Sequence, residues 1–259
     1  MSVSTAAPSL PPVVVRQRNV LLVILVGLAA IGWIVFLDRA REPMDMDHGM
    51  GPDLTMGRSW PLFAGTWVAM MVAMMFPAAA PMVLLYGRMR RRDPTSVTLF
   101  TASYIALWIA FGAVAYLLSA GVEFAASGSE WVAMHWGRVG GVLVALAGVY
   151  QLTPLKDVCL RQCRSPLAFV MSQWRDGRMG AVTMGLTHGL YCMGCCWLLF
   201  LVLIPVGMMN VAAMAAVAVV VFIEKVVSWG RPVGLIAGVA LVVSGVAVVL
   251  EPALLPTVA

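Results

Sequence analysis

Charge is what this chain lacks. Only 11% of its 259 residues are Asp, Glu, Lys or Arg, and 61% are hydrophobic. Soluble domains carry about 25% charged residues and about 45–50% apolar ones. Seventeen basic and twelve acidic side chains do not solvate the surface of a 27.7 kDa globule. The surplus apolar surface must face lipid, which excludes a soluble enzyme or a nucleic-acid-binding domain. The +5 charge and the pI near 9.2 therefore need no nucleic acid partner. The chain also has no phosphate-binding Gly-rich loop ending in Lys-Ser/Thr and no phosphorylation-domain signature, so it has no means of driving transport with ATP. Cysteine is scarce and odd in number, five in all, and three of the five lie inside one apolar run. That is not the pattern of a secreted disulfide framework. Methionine, by contrast, is abundant at 19 residues. It serves as a pliable core filler and as a soft ligand for Cu(I).

A spanning helix needs about 20 predominantly apolar residues. Stretches of that kind occur at 19–37, 62–85, 98–118, 139–152, 181–206, 208–224 and 233–250. The first is too long for a signal-peptide core, and the Asp38-Arg39-Ala40-Arg41 that follows is no small-residue cleavage site. The fourth is short and Gly-rich, which predicts a tilted or internally packed helix. With the N-terminus inside, 13 of the 17 basic residues fall on inner segments and 4 on outer ones. The positive-inside rule therefore predicts an all-α polytopic bundle of about seven spans, N-in and C-out. Residues 1–17 read as a disordered cytoplasmic tail, 18–250 as the transmembrane helical domain and 251–259 as a short tail. The largest outer loop is 38–60 and the largest inner loop 153–180. No internal repeat is evident.

Four sulfur-bearing clusters carry the candidate chemistry. The fifth span holds His188-Gly-Leu-Tyr-Cys192-Met-Gly-Cys195-Cys196-Trp197. At about 100° per residue, Met184, His188, Cys192, Cys195 and Cys196 fall in one stripe about 120° wide. Thiolate, thioether and imidazole are the donors Cu(I) prefers, and Zn(II) accepts thiolate and imidazole. A lone Cys would read as small core filler, and a lone His as one satisfied by a neighbour. Three Cys and a His on one face, in a span with no other ionisable group, favour a metal or redox site. The second span spaces Met70 with Met74 and Met71 with Met75 at i to i+4, above Pro77 and Pro81. These Met columns lie about halfway along their span, as the cysteines do along theirs. Contact between the two helices would make one sulfur-lined cavity, whereas packing alone would explain any single Met.

The outer loop carries Met44, Met46, His48 and Met50 interleaved with Asp. This reads either as a low-affinity copper capture tract or as a polar acidic linker. The inner loop carries Cys159 and Cys163, spaced for one helical turn. They suit a metal exit site in a reducing compartment or a surface-packed connector, with Tyr150, Gln151 and Lys156 as polar partners nearby. Asn210 reads as an interhelical hydrogen bonder, Glu224-Lys225 as the cytoplasmic boundary of the sixth span, and His135 as surface.

The chain resembles a bacterial family of predicted metal-binding integral membrane proteins. The matching pieces are the Met70–Met82 segment, Gln151-Leu-Thr-Pro154-Leu-Lys156 through Pro166, the His188 to Trp197 motif, and Gly207-x-Met209-Asn210 through Glu224-Lys225. The likeness covers roughly 60–250. Phe200 stands where the family pattern has Met, which removes one peripheral sulfur and leaves the His and Cys set intact. The resemblance implies a metal site in a multi-pass protein of the bacterial inner membrane.

Three readings of function follow. The first is a membrane-embedded soft-metal binder, with Cu(I) favoured and zinc, mercury or another soft metal as variants. It would act in copper uptake, transfer or delivery, with lipid, the metal ion and a cuproprotein or metallochaperone as partners. The second is a transmembrane thiol–disulfide carrier using the Cys192-x-x-Cys195 spacing, which gives no role to the Met columns. The third is a membrane metalloenzyme or a subunit of one. It is disfavoured because the spans hold no carboxylate or second imidazole to act as acid and base.

Overall fold

The computed structural model describes residues 12–41, 54–55 and 59–255. Among them every regular element is helical: α1 (Pro12–Arg41), α2 (Trp60–Met89), α3 (Pro94–Gly128), α4 (Glu130–Gln151), α5 (Pro154–Arg164), α6 (Pro166–Gln173), α7 (Gly177–Val206), α8 (Val211–Val226) and α9 (Gly230–Leu250), followed by a 3-10 turn at Pro252–Leu254. Local chemistry sets many of the boundaries. Pro94, Pro154 and Pro166 open α3, α5 and α6, where a missing N–H costs nothing and the fixed φ suits a first turn. Side chains of Asp93, Thr153 and Asn210 cap α3, α5 and α8 by accepting from the backbone N–H of Ser96, Lys156 and Ala213. The bonds from Ser96 hold the half-buried Asp93 carboxyl below the usual carboxylate range. Helix α7 ends at Gly207, whose φ of +98° is a conformation glycine adopts without strain.

Five helical segments are long and apolar enough to cross a membrane: Val13–Arg41, Trp60–Met89, Pro94–Gly128, Gly177–Val206 and Gly230–Leu250. They correspond to five of the seven stretches expected from sequence. The fourth stretch is α4, which breaks at Leu152-Thr153 and continues as α5 at an angle of 64°. The sixth is α8, with only 16 residues. The helix α2 runs through Pro77 and Pro81 as one element.

Backbones approach where side chains are smallest, because a small residue on a helix face lets a neighbouring helix come close. A Cβ at Gly148 would stand 2.6 Å from the Gly238 carbonyl, and one at Gly141 2.9 Å from the Gly245 carbonyl, so α4 and α9 lie almost backbone to backbone. Gly185 meets Phe100 and Ser103 in the same way and seats α7 on α3. Gly32 faces the Ala69 carbonyl and seats α1 on α2. The residues left on the outside are apolar, such as Val23, Leu117, Ile236 and Val243, each more than half exposed. Inside, one large core joins Met70, Met71, Met74 and Met75 of α2 to Trp108 of α3, Cys163 of α5, Cys192, Cys195 and Cys196 of α7, and Met214 of α8. A second core gathers Met82, Tyr86, Phe100, Phe169 and Met184.

Candidate functional site

Cys192 is 14 residues before the end of α7, and Lys225 is 14 residues after the start of α8. The two helices are joined by a tight turn at Gly207 and run back on each other, so equal lengths bring these residues to one level. Lys225 and Glu224 are therefore not the boundary of a span. The helix α8 stops short, and both side chains are buried at the depth of the cysteines.

The Lys225 Nζ lies 2.8 Å from the Cys192 Sγ, 3.6 Å from the Cys196 Sγ and 3.9 Å from the Met75 Sδ. The Cys192 sulfur also meets the Tyr104 hydroxyl of α3 at 3.0 Å and the Met75 sulfur at 4.0 Å. The Cys195 and Cys196 thiols turn back onto the Cys192 carbonyl, at 3.0 and 2.9 Å. Four helices thus converge on one sulfur. This contact of α2 with α7, through Met75 and Cys192, supplies the junction on which a single sulfur-lined cavity depended. Met70, Met71 and Met74 lie in the same core, while Met184 lies in the second core together with Met82.

The inner-loop cysteines pack against α7, Cys163 buried and Cys159 half-buried. The bend after α4 turns α5 against α7. Buried Cys163 faces Cys192 and Cys195, and the Cys159 sulfur fills the notch left by Gly194, where a Cβ would stand 2.7 Å from it. The Tyr150 hydroxyl donates to the Gly194 carbonyl at 2.5 Å and fixes the same notch from α4. All five cysteines are free thiols gathered around one stretch of α7.

Beside this cluster lies a closed ionic triad. Lys156 of α5 donates both to the Glu224 carboxylate and to the Gln151 side-chain carbonyl, and Gln151 Nε2 donates back to Glu224 at 3.2 Å. All three side chains are buried, so each charge and dipole must be matched within the triad. The Glu224 carboxylate also occupies the space that a Cβ at Gly234 of α9 would fill. Lys156 thereby takes the one carboxylate adjacent to Lys225 in sequence.

His188 sits one turn before Cys192 in an aromatic box. Its ring stacks on Tyr104 and Phe100, with centroids 5.5 and 6.0 Å away, and meets the edge of Phe169 at 5.3 Å. Its Nδ1 is buried without a hydrogen-bond partner. A buried nitrogen in that condition is rare and needs a reason, and a ligand is one. His135 is half-buried, stacked on the Trp131 ring with centroids 4.5 Å apart and bonded to the Trp131 carbonyl.

Met44, Met46, His48 and Met50 lie outside the described residues. The chain just after them is anchored: the backbone N–H groups of Leu54 and Thr55 each donate to Glu123 Oε1 at 2.5 Å, and the Thr55 hydroxyl donates to Glu123 Oε2 at 2.8 Å. Among the described residues, no three His, Cys, Asp or Glu side chains converge in the geometry of a metal ligand set.

Sequence reasoning found the thiols and the histidine. It missed Lys225, Tyr104 and the pairing of Lys156 with Glu224. The signal for the lysines was present in the resemblance, whose matching segments include Lys156 and end on Glu224-Lys225.

The family model described as the copper chaperone PpoB2 matches residues 64–248. That stretch holds all of the cluster, and the chain belongs to this family. No curated protein matches the chain, and no solved structure matches it.

Proposed function

We propose that this member of the PpoB2 copper chaperone family holds Cu(I) at the Cys192 cluster, within a membrane-embedded bundle, and hands it to a cuproprotein. The observation that carries the reading is the gathering of the Cys192, Cys195 and Cys196 thiols with Cys163 and the Met75 thioether in one buried core, with the Cys192 sulfur 4.0 Å from that of Met75. Soft sulfur donors shielded from water suit a soft monovalent cation. Shielding also keeps the ion from disproportionation and from stray ligands. The unpartnered His188 Nδ1 adds an imidazole one turn away that fits a transient ligand. Among the described residues no three His, Cys, Asp or Glu side chains are arranged around one point, and low-coordinate Cu(I) asks for fewer ligands than tetrahedral Zn(II).

The setting follows from the apolar helices and the distribution of basic residues. The bundle lies in the bacterial inner membrane, N-in and C-out, with the Met44, Met46, His48 and Met50 tract as the outer capture segment. Glu123 of α3 holds Leu54 and Thr55, which follow that tract in sequence. Cys159 and Cys163 belong to the binding cluster and stand on its inner flank, from which the ion leaves. Delivery needs no nucleotide hydrolysis, since each step exchanges one sulfur ligand for another.

The close approach of Lys225 to Cys192 favours a second reading, a thiol activated for disulfide exchange. One experiment separates the two. Copper is measured in the detergent-purified, reduced protein and in a Cys192→Ser, Cys195→Ser, Cys196→Ser variant that stays folded. Near-stoichiometric Cu(I) that is lost in the variant supports delivery. A native protein without copper, whose thiols cycle through a disulfide, supports the carrier and sinks the copper reading.

A further inference from the structure

Lys225 is a cation placed among sulfurs. Its nearest neighbours are the Cys192 and Cys196 thiols and the Met75 thioether, and among the described residues it has no carboxylate partner. The adjacent Glu224 is committed to Lys156. Within the buried region Glu224 and Lys156 cancel, and Lys225 leaves one positive charge for the sulfurs to balance. An unmatched charge is expensive at this depth, so the cluster is built to carry one compensating negative charge.

We infer that Lys225 is the fixed counter-charge of a two-thiolate Cu(I) complex, and that it selects a monovalent soft cation over a divalent one. This inference rests on the copper reading of the cluster. A cuprous ion held by two thiolates carries a net charge of −1, and Lys225 brings the site to zero. The thiol protons displaced by the metal leave as it enters. A divalent ion on the same two thiolates is neutral by itself, and Lys225 then leaves one positive charge uncompensated. Recruiting more thiolates would restore neutrality, but the described side chains do not converge for three- or four-fold ligation. The two sulfurs that Lys225 bridges, those of Cys192 and Cys196, are the ligands the inference names.

The test compares native protein with Lys225→Leu and Lys225→Arg in chelator-competition titrations with Cu(I), Ag(I) and Cd(II). Native protein should hold Cu(I) and Ag(I) and reject Cd(II). Lys225→Leu should lose at least about tenfold in Cu(I) affinity and gain in Cd(II) affinity, because the neutral complex is now the divalent one. Lys225→Arg should keep the native order. Opposite movement of the two metals is a readout that a damaged scaffold does not give. The inference is overturned if Lys225→Leu binds Cu(I) as tightly as native or tighter, since Lys225 would then be a competitor for the site. It is overturned if both metals weaken together. Native protein that takes Cd(II) as readily as Ag(I) overturns it without any variant. Native protein that holds no copper at all defeats the underlying copper reading instead, and the two failures are distinct.

Discussion

Lys225 and Cys192 touch across 33 residues of chain, with nitrogen and sulfur 2.8 Å apart, because α8 is half the length of its partner α7. A helix that crossed the whole bundle would carry its terminal lysine to the surface. This one ends inside, and the space beyond its end is taken by α5, which brings Lys156 and Cys163.

Cys192 should outweigh its neighbours. Its sulfur joins Tyr104, Met75 and Lys225, whereas the Cys195 thiol is spent on a backbone carbonyl. Cys192→Ser is expected to abolish Cu(I) retention, and Cys195→Ser to weaken it by a smaller factor. Chelator competition on the two purified single variants measures this, and equal losses would mean the thiols act as an undifferentiated set.

The triad of Gln151, Lys156 and Glu224 should behave as one unit. Glu224→Gln strands a buried ammonium and should cost about 3–5 kcal/mol, whereas Lys156→Met with Glu224→Leu removes both charges and should cost much less. Thermal unfolding in detergent compares them. A double variant at least as unstable as the single would contradict the pairing.

Gly185 should tolerate nothing larger. A Cβ there runs into Ser103 Oγ and the Phe100 carbonyl, one of them fixed backbone. Gly185→Val should destabilise by about 1–3 kcal/mol, as overpacking does. At Gly189 the nearest obstacle is the flexible Leu107 side chain at 2.9 Å, so Gly189→Ala should cost less. Unfolding midpoints of the two variants give the order.

His188→Phe should separate folding from function. The aromatic box suits a phenyl ring, and removing a buried nitrogen without a partner relieves a penalty of about 1–3 kcal/mol. Stability is expected to hold or rise, while the rate of Cu(I) transfer to an acceptor falls. Unchanged transfer with raised stability would make His188 an ordinary core residue.

The sequence made much of this legible. Each of the seven apolar stretches corresponds to a helix, and five correspond to helices that reach the length of about 20 apolar residues needed to cross a membrane. The stripe of His188, Cys192, Cys195 and Cys196 was readable because helical periodicity is local. What was not readable depends on where helices end relative to one another. Lys225, next to a run of valines and alanines, looks like an interfacial lysine until the length of α8 is set against that of α7. Cys159 and Cys163 look like part of an exposed loop until the 64° break after Gln151 turns α5 inward. Tyr104 carries no signal of its own in a span rich in aromatic residues.

Binding of Cu(I) by the sulfurs around Cys192 underlies every functional step proposed above. X-ray absorption at the copper edge of the reduced, copper-loaded protein tests this most directly. The expected spectrum is that of Cu(I) with a low-coordinate first shell of sulfur, lost in Cys192→Ser. A first shell of nitrogen or oxygen, or a native sulfur shell that persists in Cys192→Ser, would contradict it.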